Sequence, residues 1–185
     1  LNGVRIIDFT HVMAGPTCAL MLADMGADVI KIERAPFEAD EARNAEDPYD
    51  INGVSATYMI LNRNKRTLPL DLKTSMGIGI ARRLLDDADV VVENFRPGVL
   101  DRLGLGYEEI RKINPEVIYG AISGFGRSGP YRDRAGFDLM AQGMSGIMSV
   151  TGEAPGRAPV KPGVPICLLY TSDAADEGLG VDLGG

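Results

Sequence analysis

The chain has 185 residues, 45% of them hydrophobic and 24% charged, as in globular domains with a buried core, and no apolar run is long enough to span a membrane. Its net charge is −7, but residues 167–185 carry four acids and no base. Removing those four from the 26 acidic residues leaves 22 against 19 basic ones, or −3, which argues against nucleic-acid binding. Two cysteines and one histidine supply neither a disulfide framework nor a zinc site, so we expect a cytoplasmic protein without a bound metal.

The first segment of the chain predicts a strand, a turn and a helix. Residues 4–9 form a short apolar run typical of a buried parallel strand, and Gly15-Pro16 begins a helix that Gly26 ends. His11, the single histidine, lies on the turn between them. Because open α/β sheets bind ligands at the carboxyl ends of their strands, this turn is a candidate binding site. As a general base, His11 would need a nucleophile or an orienting carboxylate, which spacing alone does not identify.

The rest of the chain alternates strands with helices. Residues 28–33 predict a second strand, and the long polar loop over residues 35–54 is expected to be functional or mobile. The further predicted elements are a short helix over 55–62, a strand over 66–70, a helix capped by Thr74 with an apolar stripe reaching Ala88, a strand over 90–92, a short helix over 107–112 and a strand over 117–123. Repeated strand–helix–strand units predict an α/β fold with a Rossmann-like, doubly wound and mostly parallel sheet.

A formal G-x-G-x-x-G pattern occupies residues 124–129, directly after a predicted strand. In dinucleotide-binding proteins this pattern opens a helix that packs on the sheet, and an acidic residue stands on the following strand. Here residues 130–134 follow without an apolar stripe, and no acidic residue lies at the required distance on a second strand. This context argues against a nicotinamide cofactor site.

Residues 62–66, Asn-Arg-Asn-Lys-Arg, form a basic cluster. Such a cluster is most often a solvated face, and the alternative is a clamp that holds phosphate groups through charge-assisted hydrogen bonds. The sequence favours the solvated face. Cys18, inside the first predicted helix, is expected to pack as a small apolar residue.

Residues 167–185 differ in character from the rest of the chain. The segment that begins Cys-Leu-Leu-Tyr-Thr-Ser-Asp-Ala-Ala-Asp-Glu resembles the in-frame translation of a transposase-type sequencing adapter. Its Gly, Ala and Asp content would also suit a genuine flexible acidic tail. We favour the adapter, and we expect residues 1–166 to form the native domain and residues 167–185 to be a non-native extension.

Several segments, taken together and in order, resemble class III CoA-transferases, the family of formyl-CoA:oxalate and carnitine CoA-transferases and of α-methylacyl-CoA racemases. The segments are residues 8–16, 26–34, 64–66, 70–73, 91–98 and 124–130, and the resemblance runs from residue 1 to about residue 166. It implies a Rossmann-like large domain, present here in its N-terminal part, a smaller second domain and an interlinked homodimer. It also implies acyl-CoA and a small carboxylic acid as partners, with coenzyme A as a substrate and no separate cofactor.

The resemblance also identifies residues of the CoA site. His11 would lie at its mouth, and Arg34 and Lys73 would offset the charge of the CoA phosphates. Asp138 would support the active-site loop. The full set of implied binding residues is His11, Met13, Ala14, Arg34, Leu70, Asp71, Leu72, Lys73, Asn94, Phe95, Arg96, Arg102 and Asp138.

The transferase mechanism of this family uses an aspartate carboxylate, which attacks the acyl-CoA thioester and forms covalent intermediates. In relatives that aspartate follows a Gly-Val-Pro-Ile-Ala segment. Here the Gly-Val-Pro-Ile of residues 163–166 is followed by Cys167-Leu168. The nucleophile is therefore missing, no catalytic residue is assigned, and we expect the chain as it stands to be inactive.

Racemases of the same family carry a histidine in a Gly-His-Asp context. The matching segment is Gly136-Phe137-Asp138, and a phenyl ring cannot take a proton from the substrate α-carbon. The sequence therefore favours a transferase over a racemase. A CoA-binding fragment without turnover is a further alternative, and an NAD-linked oxidoreductase is disfavoured by the context of residues 124–129.

Overall fold

The computed structural model of the chain describes residues 1–36, 43, 49–152 and 156–170. Its strands are β1 (Arg5–Asp8), β2 (Asp28–Arg34), β3 (Asp50–Ile51), β4 (Val54–Ser55), β5 (Arg66–Leu70), β6 (Val90–Glu93) and β7 (Ile118–Ala121). Its helices are α1 (Ala14–Asp24), α2 (Ala56–Leu61), α3 (Ser75–Asp86), α4 (Val99–Arg102), α5 (Tyr107–Ile113), α6 (Asp138–Met144) and α7 (Ile147–Val150). Residues 166–170 form a further helical turn.

Five strands form one sheet in the order β5-β2-β1-β6-β7, and every neighbouring pair is parallel. The chain builds outward from the central β1, first through β2 and β5 and then, on the other side, through β6 and β7. This order confirms the predicted α/β fold with a Rossmann-like parallel sheet. The direction of winding reverses between β1 and β6, and open α/β sheets bind ligands at such a switch point.

Helices cover both faces of the sheet. On one face α1 packs against β1, β2 and β6, and the core comprises Ile6, Cys18, Ala19, Leu22, Ala23, Val29, Val90 and Val92. On the other face α3, α4 and α5 pack against the intervening residues, and the core comprises Ile7, Phe9, Ile30, Ile32, Ala81, Leu85, Val91, Leu100 and Ile110. Because both faces of β1 and β6 are buried, successive residues of both strands, Ile6-Ile7 and Val90-Val91-Val92, are apolar. Cys18 packs within this core, as predicted.

The structure matches most of the predicted elements and adds others. Thr74 caps α3 as predicted, and its Oγ1 accepts a hydrogen bond from the N–H of Gly77 at 3.0 Å. The elements not predicted are α4, α6, α7 and the β3–β4 hairpin, which lies largely inside the expected loop over residues 35–54. Residues 37–42 and 44–48 of that loop lie outside the described residues. Among the helices in the described ranges, none is long and apolar enough to cross a membrane.

Candidate functional site at the sheet switch point

The carboxyl ends of β1 and β6 meet at the switch point, where two predicted site residues are joined. The backbone N–H of His11 donates to Asn94 Oδ1 at 2.8 Å, and Asn94 Nδ2 donates to the His11 carbonyl at 2.7 Å. The His11 ring also packs edge-on against Phe95, with ring centroids 4.8 Å apart. These contacts hold the β1–α1 turn, residues 9–13, against the loop that follows β6.

The β1–α1 turn is tightly folded. Val12 has a positive φ of 66°, which is uncommon for a β-branched residue and requires that the surrounding structure fix the backbone. Gly15 has no room for a side chain, because a Cβ there would lie 2.3 Å from Thr10 Cβ. Met13 is the N-cap residue of α1, and its carbonyl accepts a hydrogen bond from Thr17 Oγ1 at 2.9 Å. Local geometry thus leaves the turn little freedom.

A pocket of about 550 Å³ opens beside this turn, a volume within the range of small-molecule sites. Four predicted binding residues line it: Ala14, Asn94, Phe95 and Arg96. The rest of its wall comes from Pro97, residues 122–125, residues 134–137, helix α6 with the following Ser145, and the helical turn at residues 166–170. Segments that are far apart in the sequence therefore meet at one cavity.

The G-x-G-x-x-G segment contributes to this pocket wall and does not begin a helix. Gly124 packs directly on Gly136, since a Cβ on either glycine would lie 2.3 to 2.4 Å from the Cα of the other. Residues 130–134 form turns, and the next helix, α6, begins only at Asp138. Between residues 124 and 138 there is accordingly no helix N-terminus of the kind that binds a dinucleotide pyrophosphate.

Asp138 lies behind the pocket wall and anchors the helical turn at residues 166–170. Its Oδ1 accepts hydrogen bonds from the N–H groups of Cys167 at 3.0 Å and Leu168 at 3.2 Å, and its Oδ2 accepts one from the Gln142 amide. Leu168 and Phe137 both line the pocket. The position at which the resemblance implies an aspartate nucleophile therefore lies at the cavity.

The predicted binding residues on β2 and β5 lie along the same sheet edge but outside the pocket. Arg34 and Leu70 are register partners at the carboxyl ends of these strands. Asp71 Oδ1 accepts the N–H of Lys73 at 2.9 Å, and Leu72 packs against the core, whereas Arg34 and Lys73 are exposed. Because β2 and β5 are two and three strand positions from β6, Arg34 and the segment after β5 lie about 10 and 14 Å from the end of β6.

Arg102, the remaining predicted binding residue, lies at the end of α4 with an exposed side chain. Its guanidinium group lies beside Gly98, where a Cβ would be 3.3 Å from one Arg102 nitrogen. Gly98 has a φ of 83° and caps the start of α4. Arg102 is thus close to the loop after β6 but does not line the pocket.

The basic cluster is paired with carboxylates of the same domain. On the surface, Arg66 contacts Asp28 at 2.6 Å, and Arg63 forms an ion pair with Asp24. Lys65 points inward, and its Nζ lies 3.0 Å from an oxygen of Asp8, with both side chains fully buried. The predicted solvated face is therefore wrong for Lys65, because the buried carboxylate of Asp8, far away in the sequence, pairs with this side chain in the core.

Two buried lysines surround the buried carboxylate of Asp8, an arrangement with no signal in the sequence because lysines are mostly exposed. Burial by itself would raise the pKa of Asp8, but the charges of Lys65 and Lys31 and hydrogen bonds from Thr10 outweigh burial and hold the pKa below its usual value. Lys31 is only 1% exposed, and its Nζ donates to the Thr10 carbonyl at 2.6 Å. These charges lie directly beneath the β1–α1 turn.

Glu93, the last residue of β6, is a second buried carboxyl group at the site. Burial raises the pKa of Glu93, against the opposing effects of the Phe95 N–H, which donates to Glu93 at 2.8 Å, and of Arg127, 3.8 Å away. The pKa of Tyr119 is also raised, mainly by burial and then by the charge of Glu93. A carboxyl group that ionises with difficulty therefore supports the Asn94–Phe95 segment of the pocket.

Sequence comparisons agree with the geometry. The chain matches the model of CoA-transferase family III over residues 1–175. It is 48% identical over 176 residues to the succinate–glutarate CoA-transferase of Agrobacterium fabrum and 44% identical over 183 residues to a formyl-CoA:oxalate CoA-transferase of Afipia carboxidovorans. These alignments cover 92% and 99% of this chain but only 44% and 40% of the relatives. The chain thus spans less than half the length of these curated relatives.

Solved structures show the same fold. A CaiB/BaiF family protein from Brucella suis matches with a TM-score of 0.91 and 42% identity, covering 97% of this chain and 47% of that one. A hypothetical protein from Mycobacterium tuberculosis matches with a TM-score of 0.85 and 33% identity, covering 99% of this chain and 50% of that one. The ordered motifs, the parallel sheet and these matches lead to one conclusion: the chain belongs to CoA-transferase family III.

Proposed function

We propose that this chain is the CoA-binding part of an enzyme that transfers coenzyme A between an acyl-CoA thioester and a small carboxylic acid. The observation that carries the proposal is the pocket at the sheet switch point, lined by Ala14, Asn94, Phe95 and Arg96. Relatives named as succinate–glutarate and formyl-CoA:oxalate CoA-transferases support both the reaction and the class of acid. Coenzyme A is a substrate in this proposal, and no further cofactor is needed.

The two groups of predicted binding residues suit the two ends of an acyl-CoA molecule. Arg34 and Lys73 are exposed cations at the carboxyl ends of β2 and β5, where they would pair with the phosphates of the nucleotide end. The pocket beside Phe95 has the apolar lining that an acyl chain requires. The extended pantetheine arm would bridge the distance of about 10 to 14 Å between the two groups.

The proposed reaction proceeds through covalent intermediates on an aspartate. Its carboxylate attacks the thioester carbonyl and the C–S bond breaks, which releases CoA as a thiolate and leaves a mixed anhydride on the aspartate. The thiolate then attacks the aspartyl carbonyl, which releases the donor acid and forms an aspartyl-CoA thioester. The acceptor carboxylate then attacks the aspartyl-CoA thioester, which releases the CoA thiolate and forms a second mixed anhydride. The thiolate attacks the acceptor carbonyl of this anhydride, so that a new acyl-CoA leaves and the aspartate is regenerated.

The chain as it stands should not perform these steps, because Leu168 occupies the position of the aspartate at the pocket wall. An alkyl side chain has no nucleophile to offer the thioester. Incubation with acyl-CoA is therefore expected to give no hydroxylamine-sensitive acyl-enzyme. Detection of such an adduct by mass spectrometry would show that another residue of this chain acts as the nucleophile.

The racemase alternative shares the family but not the key side chain. Phe137 lines the pocket at the position of the racemase histidine, and it is 64% exposed. It has no basic atom with which to exchange a proton at the substrate α-carbon. The remaining alternative is a fragment that binds CoA without turnover.

We further propose that the parent protein is cytoplasmic and forms an interlinked homodimer. Helices α6 and α7 support a protein partner, because they expose several large apolar side chains, namely Leu139, Met140, Met144 and Val150. Analytical ultracentrifugation of the protein at the length of its relatives is expected to show a dimer. A monomer at micromolar concentration would contradict this part of the proposal.

The deciding experiment uses the protein at the length of its relatives, with Cys167→Ala and Leu168→Asp restoring the aspartate. Incubation in D2O with an acyl-CoA and a dicarboxylic acid is expected to move CoA to the acid without deuterium entering the α-carbon. Deuterium uptake without transfer would favour the racemase. Binding of CoA without either reaction would favour CoA binding without turnover.

A further inference from the structure

Lys65 connects three segments beneath the β1–α1 turn. Its Nζ donates to Asp8 Oδ2 at 3.0 Å, to the Pro16 carbonyl at 2.8 Å and to Asn62 Oδ1 at 3.2 Å. The acceptors belong to β1, to the first turn of α1 and to the end of α2. An ammonium group has three N–H donors, so each of them has a partner in the core.

Asp8 extends this network to the turn. Its Oδ1 accepts both the backbone N–H of Thr10, at 2.8 Å, and the Thr10 hydroxyl. The next residue, His11, exchanges two backbone hydrogen bonds with the side chain of Asn94. A continuous series of hydrogen bonds and one peptide unit therefore runs from Lys65 to a residue that lines the pocket.

The neighbouring Lys31 cannot replace Lys65 in this network. Its Nζ donates to the Thr10 carbonyl at 2.6 Å, on the strand side of the turn, and it does not contact Pro16 or Asn62 among the contacts described. Without Lys65, the Pro16 carbonyl in the first turn of α1 and the Asn62 side-chain oxygen at the end of α2 would each lose a hydrogen-bond donor. Among the described residues, Lys65 is the one that hydrogen-bonds to both of these elements and to the buried carboxylate of Asp8.

We propose that Lys65 is a positioning residue that holds the β1–α1 turn against Asn94 in the geometry that binds acyl-CoA. The inference rests on the proposed function for the identity of the ligand. Stability is a weaker explanation of the buried ion pair, because apolar replacements of such pairs are often equally stable. A fixed turn matters more to binding, since a ligand site loses affinity when its lining groups move by fractions of an ångström.

The test compares Lys65→Met with Arg63→Met in this chain. The control variant, Arg63→Met, is two residues before Lys65 and removes a surface ion pair with Asp24. One measurement is the NMR resonance of the His11 ring, which is assigned without ambiguity because the chain has one histidine and which reports the packing on Phe95. The other is the dissociation constant for CoA, measured by calorimetry.

Lys65→Met is expected to shift the His11 resonance and to weaken CoA binding about tenfold, the effect of one lost hydrogen bond to a charged group. Arg63→Met should change neither measurement. If Lys65→Met does not fold, the double variant Asp8→Asn with Lys65→Met removes both charges of this ion pair, leaves the buried Lys31 on the Thr10 carbonyl, and keeps an oxygen that accepts from Thr10. The same two changes are expected in the double variant.

Three results would overturn the proposal: an unchanged His11 resonance in a folded variant, unchanged affinity for CoA in that variant, or failure of both variants to fold, which would make Lys65 a residue of stability alone. The proposed function is judged separately by the unmodified chain. If the unmodified chain binds no CoA while the His11 resonance still responds to Lys65→Met, the proposed function fails and control of the turn by Lys65 remains supported.

Discussion

Asn94 is the residue at which the two loops of the site meet, because its amide both accepts from and donates to the backbone of His11. Replacement by alanine leaves a partly buried N–H and carbonyl without this partner. We expect Asn94→Ala to lower the free energy of unfolding by about 1–3 kcal/mol, the usual cost of such groups, and to weaken CoA binding. Chemical denaturation and calorimetry measure the two effects.

The control for this prediction is Asn2→Ala, which removes the same side chain from an exposed position far from the pocket. It should change neither stability nor CoA affinity by a measurable amount. If Asn94→Ala behaves like Asn2→Ala in both measurements, the two loops do not depend on this amide.

Glu93 makes stability depend on pH in a specific direction. Burial raises its pKa above the ordinary value of 4.5, so the folded chain binds a proton that the unfolded chain has already released, and stability is lost as the pH rises through the folded pKa. Glu93→Gln removes this ionisation and keeps an acceptor for the N–H of Phe95. The variant should therefore be more stable than the unmodified chain at neutral pH, with the difference disappearing below the ordinary pKa.

Urea denaturation at several pH values between about 4 and 8 measures this difference in the free energy of unfolding. Asp86→Asn, which makes the corresponding acid-to-amide change at an exposed position, is the control for the substitution itself. A gain for Glu93→Gln that is the same at every pH would mean that the ionisation of Glu93 is not its cause.

At the scale of the element, helix α3 contains two glycines that differ in the space available for a side chain. A Cβ at Gly77 would lie 2.1 Å from the carbonyl oxygen of Asp71, whereas Gly79 is exposed and has open space around it. Gly79→Ala should stabilise the chain by about 1 kcal/mol through helix propensity. Gly77→Ala should destabilise it and displace the segment over residues 70–73, because the backbone of Asp71 cannot move away without cost.

Thermal unfolding of the two variants, which differ only in position, gives the comparison directly. A lowered melting temperature for Gly77→Ala and a raised one for Gly79→Ala are expected. If Gly77→Ala is also stabilising, the contact between α3 and the Asp71 carbonyl is looser than the structure shows.

The elements that the sequence predicts well are those with a strong local signal. β1 and β6 are apolar runs, and α3 has the capping Thr74 ahead of an apolar stripe. The β3–β4 hairpin turns at Asn52-Gly53 with positive φ values of 54° and 77°, but two-residue strands are too short to show alternation. Helices α4 and α7 have four residues each, too few for a helical period.

At the scale of the whole molecule, the sequence predicts the part of the site formed by the ends of β1 and β6 better than the opposite wall, formed by α6 and residues 166–170. The turn after β1 and the loop after β6 follow from the parallel topology and from the ordered motifs. The opposite wall depends on contacts such as that of Asp138 with Cys167 and Leu168, which no periodicity encodes. The burial of Lys65 depends on Asp8, 57 positions away, and a charge-rich segment predicts exposure for its lysine.

The central claim is that the carboxyl edge of the sheet binds coenzyme A, and calorimetric titration of this chain with CoA tests it most directly. NADH, which also carries an adenine nucleotide and a pyrophosphate, is the matched comparison ligand. We expect saturable heat with CoA and none with NADH, since no helix begins directly after the glycines of residues 124–129 to bind a dinucleotide pyrophosphate, and the next helix starts only at Asp138. Binding of NADH by the folded chain, or no binding of CoA, would show that this edge of the sheet is not a CoA site.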